Sequence, residues 1–340
     1  MNRTAIVSLT LGFALFVALL IWQGAGSVMS TLAVAGWGLL PIAAFHLVPL
    51  VLDAAAIQVL VAKSCSLRRA TLTRWVGESV NSLLPAGQIG GPIAMVRQMK
   101  QRGLAGREAA AAITVSTTLQ AVAQIVFALL GLTVFGISAT HHANDSLWLP
   151  MLLATALISA LLYAFYVAQR RGIFGWAFRM LSKMSSKRDW SSLLERADAV
   201  DEIVQRMYGQ RRQVLASFVL SLIGWIVGTV EVWLILQFIG HPVSWVDAML
   251  LESLGQAIRG AAFFVPGSLG VQEGGYLLLA PLVGLTPDAA LALSLAKRTR
   301  ELLLGVPGLV YLHFSERGWR RQRAAQQSGP LPASTDTAPL

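Results

Sequence analysis

With one cysteine, Cys65, the chain has no internal disulfide, and no Cys/His spacing supplies a zinc-type ligand set. Charge is also scarce. At 13% charged and 55% hydrophobic residues, 340 residues carry too little charge to cover a soluble surface, so the surrounding medium is lipid. No Gly-x-x-x-x-Gly-Lys-Ser/Thr run is present, which leaves ATP drive without a motif. The net charge of +10 raises nucleic acid as a partner, but the Lys and Arg residues fall in gaps between apolar runs rather than on one face. That pattern is topological, and no nucleic acid is expected. His141-His142 is an adjacent pair with no further ligands, so it reads as a polar loop, and neither metal nor other cofactor is expected.

What is present is a series of apolar runs. Residues 4–21 follow Asn2-Arg3 and are longer than a signal-peptide core, so they read as a retained span. Residues 31–61 form a second span carrying His46 and Asp53. The third, 109–137, bears Thr114, Thr117, Gln120 and Gln124 at helical spacing, a stripe that joins helices by hydrogen bonds. The remaining spans are 147–167, 213–239 with Glu231, and 287–314. Residues 169–212 form the one sizeable aqueous segment, with ten Lys or Arg against five Asp or Glu. In it, Ser192-Leu193-Leu194-Glu195 has the form of a capping box, and Leu194, Ala197, Val200, Val204 and Met207 recur at helical spacing. A cytoplasmic amphipathic helix at the interface is expected there; contact with anionic lipid and an ordinary positive-inside loop explain its charge equally well. The tail, residues 319–340, is expected to be disordered and cytoplasmic.

Two proline-glycine breaks organise the rest: residues 84–91 (LPAGQIGG) and 265–275 (VPGSLGVQEGG). Pro85 and Pro266 lie 181 positions apart, as do the Gly-Leu pairs Gly103-Leu104 and Gly284-Leu285. Glu78-Ser79 and Glu252-Ser253 correspond as well if the second copy holds seven extra residues, about two helical turns. Of the 27 basic residues, 23 fall on one side of the membrane when the N-terminus is cytoplasmic, and the outer loops hold none. The first break then opens from the cytoplasm and the second from outside. The expected fold is an all-α integral membrane protein: about six full spans plus two re-entrant broken-helix segments in an inverted repeat. Repeat 1 covers residues 31–137 and repeat 2 residues 213–314, within one membrane domain, 1–318. Both termini are expected in the cytoplasm, in a cytoplasmic (inner) membrane.

The basic residues left over, Arg259, Lys297, Arg298 and Arg300, lie in apolar sequence beside Glu252, Glu273 and Glu301. At about 2.5–3.5 kcal/mol for each centrally placed charge, seven unpaired charges would cost roughly 20 kcal/mol, beyond a fold's net stability. They must be paired, hydrated or facing a cavity. Lys297 and Glu301, four apart, can pair on one helix face, leaving Arg298 and Arg300 for Glu273, Glu252, Glu231 or an anionic ligand. Either a functional cluster or a structural network accounts for them. Asp53, Glu78, Glu231 and Glu252 are candidate coupling groups, and His46 is either a proton relay or a hydrogen-bonded helix residue. At the breaks, proline removes a donor and glycine admits unusual backbone angles, so the following half-helices expose N–H groups suited to phosphate or carboxylate. Candidate binding positions there are Asn81, Gln88, Gly90, Gly91, Gly267 and Gly270. The second break holds the buried charges and the first mainly backbone, which makes the second the site and the first its lid.

Pro266-Gly267-Ser268-Leu269-Gly270-Val271-Gln272-Glu273, followed by Arg298 and Pro307-Gly308, resembles the flippase-like membrane-domain family typified by the transmembrane part of lysylphosphatidylglycerol synthases. Asn81 to Gly91 is similar to that family's first signature, and the resemblance covers about residues 4–318. The Pro-Ala-Gly-Gln-Ile-Gly-Gly-Pro wording is most similar to a branch associated with hopanoid lipid biosynthesis. Where the family usually has an acidic residue after the first glycine pair, this chain has Pro92, so no acid-dependent step is expected there. No soluble aminoacyl-transfer domain is expected, so the resemblance does not imply lysyl-lipid synthesis. The resemblance implies translocation of a polar or anionic lipid, with membrane lipids and lipid-biosynthetic enzymes as partners. Arg298 and Arg259 would act as charge partners and Glu273 would orient them. Two alternatives stay open: a membrane-embedded lipid-modifying enzyme with Glu273 or Asp53 as general base, and a small-solute or ion transporter.

Overall fold

The computed structural model describes residues 30, 33, 36–61, 64–84, 87–138, 156, 191–262 and 265–327. The expected spans 4–21 and, apart from residue 156, 147–167, the His141-His142 loop, residues 169–190 and the tail from 328 lie outside the described residues. Every described element is helical. In chain order they are α1 (Leu39–Phe45), α2 (Leu47–Leu60), α3 (Leu67–Leu83), α4 (Gly90–Gln101), α5 (Gly106–Ser138), α6 (Ser191–Gly209), α7 (Arg211–Phe238), α8 (Trp245–Ala261), α9 (Val271–Leu279) and α10 (Pro287–Gln327).

Three described stretches are long and apolar enough to cross a membrane: Gly36–Leu60, Gly106–Phe135 and Arg211–Phe238. α10 is longer than any of these, yet its central charges keep it out of that set. Burial on α10 is inside-out relative to a water-soluble protein. Lys297, Arg300 and Glu301 are buried, while Leu302, Val306, Val310 and Phe314 are exposed at four-residue spacing. An apolar outer stripe over a charged inner one needs lipid as its solvent, and the protein is an all-α integral membrane protein. α10 also runs to Gln327, past the expected end of the span at 314 and into the expected tail. Pro307 does not stop it.

The breaks fall where Pro85 and Pro266 predicted. α3 ends at Leu83, Leu84 turns to extended backbone, and a short 3-10 turn, Gly87–Ile89, leads into α4, which folds back against α3. α8 ends at Ala261, and Pro266–Ser268 forms a second 3-10 turn before α9 packs against α8. Gly267, Ser268 and Gly270 have φ of 60°, 49° and 76°, a left-handed run that two glycines make feasible. The two turns touch: a Cβ built on Gly267 would stand 3.0 Å from the carbonyl oxygen of Ser82.

Packing around the breaks is reciprocal. α3 lies against α10 and α8 against α5, and α2 and α7 pack on each other through the middle. In the first seam a Cβ on Gly308 would overlap Ser79; in the second a Cβ on Gly131 would overlap Ser253. These are the serines of the two Glu-Ser pairs, and each lets its helix approach a glycine of a long neighbour.

Buried apolar side chains form two layers. One gathers Ile42, Leu132, Val232, Leu236, Leu250 and Leu293; the other gathers Ile57, Leu60, Met95, Met99, Ile113 and Leu119. Val204, Met207 and Tyr208 of α6 join the second layer against α5, so the described part of the α6 apolar stripe covers protein rather than lipid. α6 begins at Ser191, and the side chains of the Ser192–Glu195 capping box lie outside the described residues.

Candidate functional site

Three helical stretches pass from one apolar layer to the other through a polar stretch, His46 to Asp53 on α1–α2, Thr117 to Gln124 on α5 and Gly224 to Glu231 on α7, and on α10 the polar stretch Lys297 to Glu301 follows Ala290, Leu293 and Ala296 of the first layer. On α5 the polar stretch separates Leu119 from Ala128, nine residues or roughly 14 Å of helix. These stretches enclose a chamber of about 340 Å³, closed further by Glu78, Asn81, Ser82 and Gln88 at the first break and by Glu252, Gln256 and Arg259 on α8.

The chamber wall is a set of ion pairs. Lys297 Nζ donates to Glu252 Oε2 at 2.5 Å, and Gln256 Nε2 donates to the other Glu252 oxygen at 2.8 Å. Arg259 Nη1 donates to Glu301 Oε1 at 2.7 Å and to Gln272 Oε1 at 3.1 Å. Asp53 Oδ2 accepts from Arg74 Nη2 at 2.8 Å and from Gln120 Nε2 at 2.6 Å. Gln124 donates to the carbonyl of Gln256, tying α5 to α8. His46 lies between two carboxylates: Nδ1 is 2.7 Å from Glu231 Oε2, and Nε2 is 2.7 Å from Glu78 Oε1. Arg300 completes that group, with Nε 3.1 Å from Glu231 and Nη1 3.4 Å from Glu78.

Two nominated residues stand behind the chamber. Arg298 Nη1 donates to the carbonyl of Gly267 at 2.5 Å and Nη2 to that of Ser268 at 3.1 Å, while Nε donates to Glu273 Oε1 at 3.1 Å. Glu273 Oε2 in turn accepts from the backbone N–H of Gly270 at 2.7 Å, and Ser294 Oγ donates to its other oxygen at 3.0 Å. Arg298 and Glu273 therefore clamp the left-handed turn of the second break. A planar guanidinium suits that task because it directs several donors from one rigid group.

The sequence-nominated residues divide accordingly. Asp53, Glu78, Asn81, Gln88, Glu231, Glu252, Arg259, Lys297 and Arg300 line the chamber; Arg298, Glu273, Gly90, Gly91, Gly267 and Gly270 do not. The expected pairing of Lys297 with Glu301 is replaced by Lys297 with Glu252, since α8 brings a carboxylate closer than the next turn of α10 does. Glu301 takes Arg259 and Arg298 instead. The half-helix amides expected to face a ligand are occupied from within: Gly91 N–H donates to Asn81 Oδ1 at 2.7 Å, and Gly270 N–H to Glu273. Arg74 is one of the 23 basic residues that the charge count assigns to the cytoplasmic side, but α3 starts at Leu67 and carries it two turns inward to Asp53. Its four-residue spacing to Glu78 was the available signal. Gln256, beside Glu252, was also missed. Its spacing is likewise four residues.

Among the described residues, no group of three or more His, Cys, Asp and Glu side chains forms a metal-binding cluster. The family model described as "Lysylphosphatidylglycerol synthase TM region" matches residues 9–308 of the chain. No curated protein matches.

Proposed function

From a chain that belongs to the lysylphosphatidylglycerol synthase transmembrane-region family, we propose a translocator that carries the headgroup of a polar lipid between leaflets. The observation that supports it best is the polar chamber between two apolar layers, walled by residues from both broken segments. A lipid headgroup would enter the chamber while its acyl or polycyclic part stays in the bilayer. Residues 31–137 and 213–314 would act as inverted copies that rock about the α2–α7 contact, each copy contributing one re-entrant segment. The reciprocal Ser79–Gly308 and Ser253–Gly131 seams favour such an arrangement.

The charge pattern narrows the headgroup. Each cationic side chain on the chamber wall already faces a carboxylate: Arg74 on Asp53, Arg259 on Glu301, Lys297 on Glu252, and Arg300 on Glu78 and Glu231. An anionic headgroup would have to displace one of those carboxylates. A zwitterionic or polyhydroxylated headgroup would instead meet the amide of Gln88 and the remaining polar ends of Asn81 and Gln124, whose Oδ1 and Nε2 already bond Gly91 and Gln256, so a phospholipid or hopanoid of that kind is the substrate class we favour. The protein would sit in the cytoplasmic membrane with both termini inside, following its basic loops.

The test is reconstitution of the purified protein in liposomes carrying labelled headgroups. Acceleration of headgroup exposure for zwitterionic or hydroxylated lipids is expected. If folded protein accelerates no lipid class, the reading fails; covalently altered lipid would point to an enzyme, and solute uptake without lipid movement to a solute carrier.

A further inference from the structure

His46 sits at the junction of α1 and α2, three residues before Pro49, whose missing N–H interrupts the helix. From there its ring reaches three other helices. Nε2 meets Glu78 of α3, Nδ1 meets Glu231 of α7, and Arg300 Nη1 of α10 lies 2.7 and 2.8 Å from the two ring nitrogens. The next charges outward are already engaged: Asp53 by Arg74 and Lys297 by Glu252. Side-chain exposure is 14% for His46, 3% for Glu231 and 5% for Arg300, while Glu78 at 27% opens onto the chamber.

Each 2.7 Å nitrogen-oxygen contact needs one proton between its atoms. His46, Glu78 and Glu231 must therefore share two protons when both contacts are made. Removing one leaves two lone pairs facing each other in a buried site, which drives that contact apart. Arg300 is the replacement donor. Its Nε and Glu231 Oε1 are buried and lack an aligned hydrogen-bond partner although they stand 3.1 Å apart. A small shift would align them, and Nη1 is close enough to donate to a bare ring nitrogen.

We propose that His46, Glu78, Glu231 and Arg300 form a proton-binding site that latches the first broken segment, through α3, to the second half, through α7. This rests on the translocator reading and supplies its coupling ion. With two shared protons the imidazole bridges α3 and α7. When one proton leaves, down its gradient and through the chamber face of Glu78, Arg300 takes over one partner and the bridge opens. The cycle is balanced: one proton is bound and the same proton released, with no covalent change.

The experiment avoids any dependence on the lipid. In full-length protein carrying Cys65→Ser, spin labels at Leu67→Cys on α3 and Leu215→Cys on α7, both on exposed positions, report the separation of the two helices in phosphatidylcholine nanodiscs. Between about pH 5 and pH 9, the range in which histidine changes charge, a second and longer distance is expected to grow in, and His46→Gln should abolish that dependence. A distance distribution unchanged by pH, or one that still shifts in His46→Gln, overturns the proposal. Should His46→Gln fail to fold, nitrogen NMR of a chain with His141, His142, His241 and His313 replaced by Gln decides it. His46 must show two protonated ring nitrogens at low pH and lose one within that range. A single neutral tautomer throughout overturns the latch. Lipid movement is measured separately, so an insensitive latch with active transport, or a responsive latch without transport, tells which reading has failed.

Discussion

Lys297 on α10 reaches Glu252 on α8 at 2.5 Å, with side-chain exposures of 2% and 4%. Removing one partner strands a buried charge, whereas removing both leaves an apolar contact. Lys297→Met should lower stability by about 3–5 kcal/mol, and the double variant Lys297→Met, Glu252→Met should recover most of that loss. Thermal unfolding in detergent, followed by circular dichroism, checks both.

The two serine-glycine seams make a second prediction. Gly308→Ala drives a methyl group into Ser79, and Gly131→Ala does the same to Ser253. Each should cost about 1–3 kcal/mol, and pairing Gly308→Ala with Ser79→Gly should restore more than half of it. The same thermal assay measures the coupling.

Arg298 makes a third. Lysine keeps the charge but cannot serve Gly267, Ser268 and Glu273 together. With one or two charge-assisted bonds at about 1.5–3 kcal/mol each removed, Arg298→Lys should populate an unclamped break. Headgroup translocation in liposomes should fall by about tenfold or more, while Arg206→Lys, in an exposed pair on α6, should leave it unchanged.

Cys65 supplies a fourth, outside the spans. Burial pushes its thiol above the ordinary value, against the opposing pull of Arg102 and Arg69. The folded state thus holds the proton more tightly than the unfolded chain, so stability should decline as pH climbs past the ordinary thiol value. Maleimide labelling near neutral pH should be slower than for an unfolded control and should accelerate with alkalinity.

The helical membrane class and the position of both breaks were legible because Pro85 and Pro266 act locally, through a missing donor and a fixed φ. Partner choice was not. Lys297 lies four residues from Glu301, and nothing in the order of residues says that α8 will offer Glu252 instead. The positive-inside count places Arg74 with the cytoplasmic charges because it assigns each basic residue by its distance from apolar sequence, while helix phase turns Arg74 toward Asp53. Asn81 was marked as a candidate ligand contact, but its Oδ1 closes on Gly91 N–H ten residues later. Such contacts depend on how the chain returns after the break.

The charged core of α10 bears on how the protein is made. A helix with Lys297, Arg298, Arg300 and Glu301 at its centre is a poor client for a translocation channel, where each such charge adds about 2.5–3.5 kcal/mol against entry into lipid. Its partners Glu78, Glu231, Glu252 and Glu273 all precede it in the chain. They leave the ribosome first. Membrane insertion of α10 is then a docking reaction onto a waiting bundle rather than partitioning into oil, and a glycosylation reporter fused after α10 should register integration only when α3, α7 and α8 have already been synthesised.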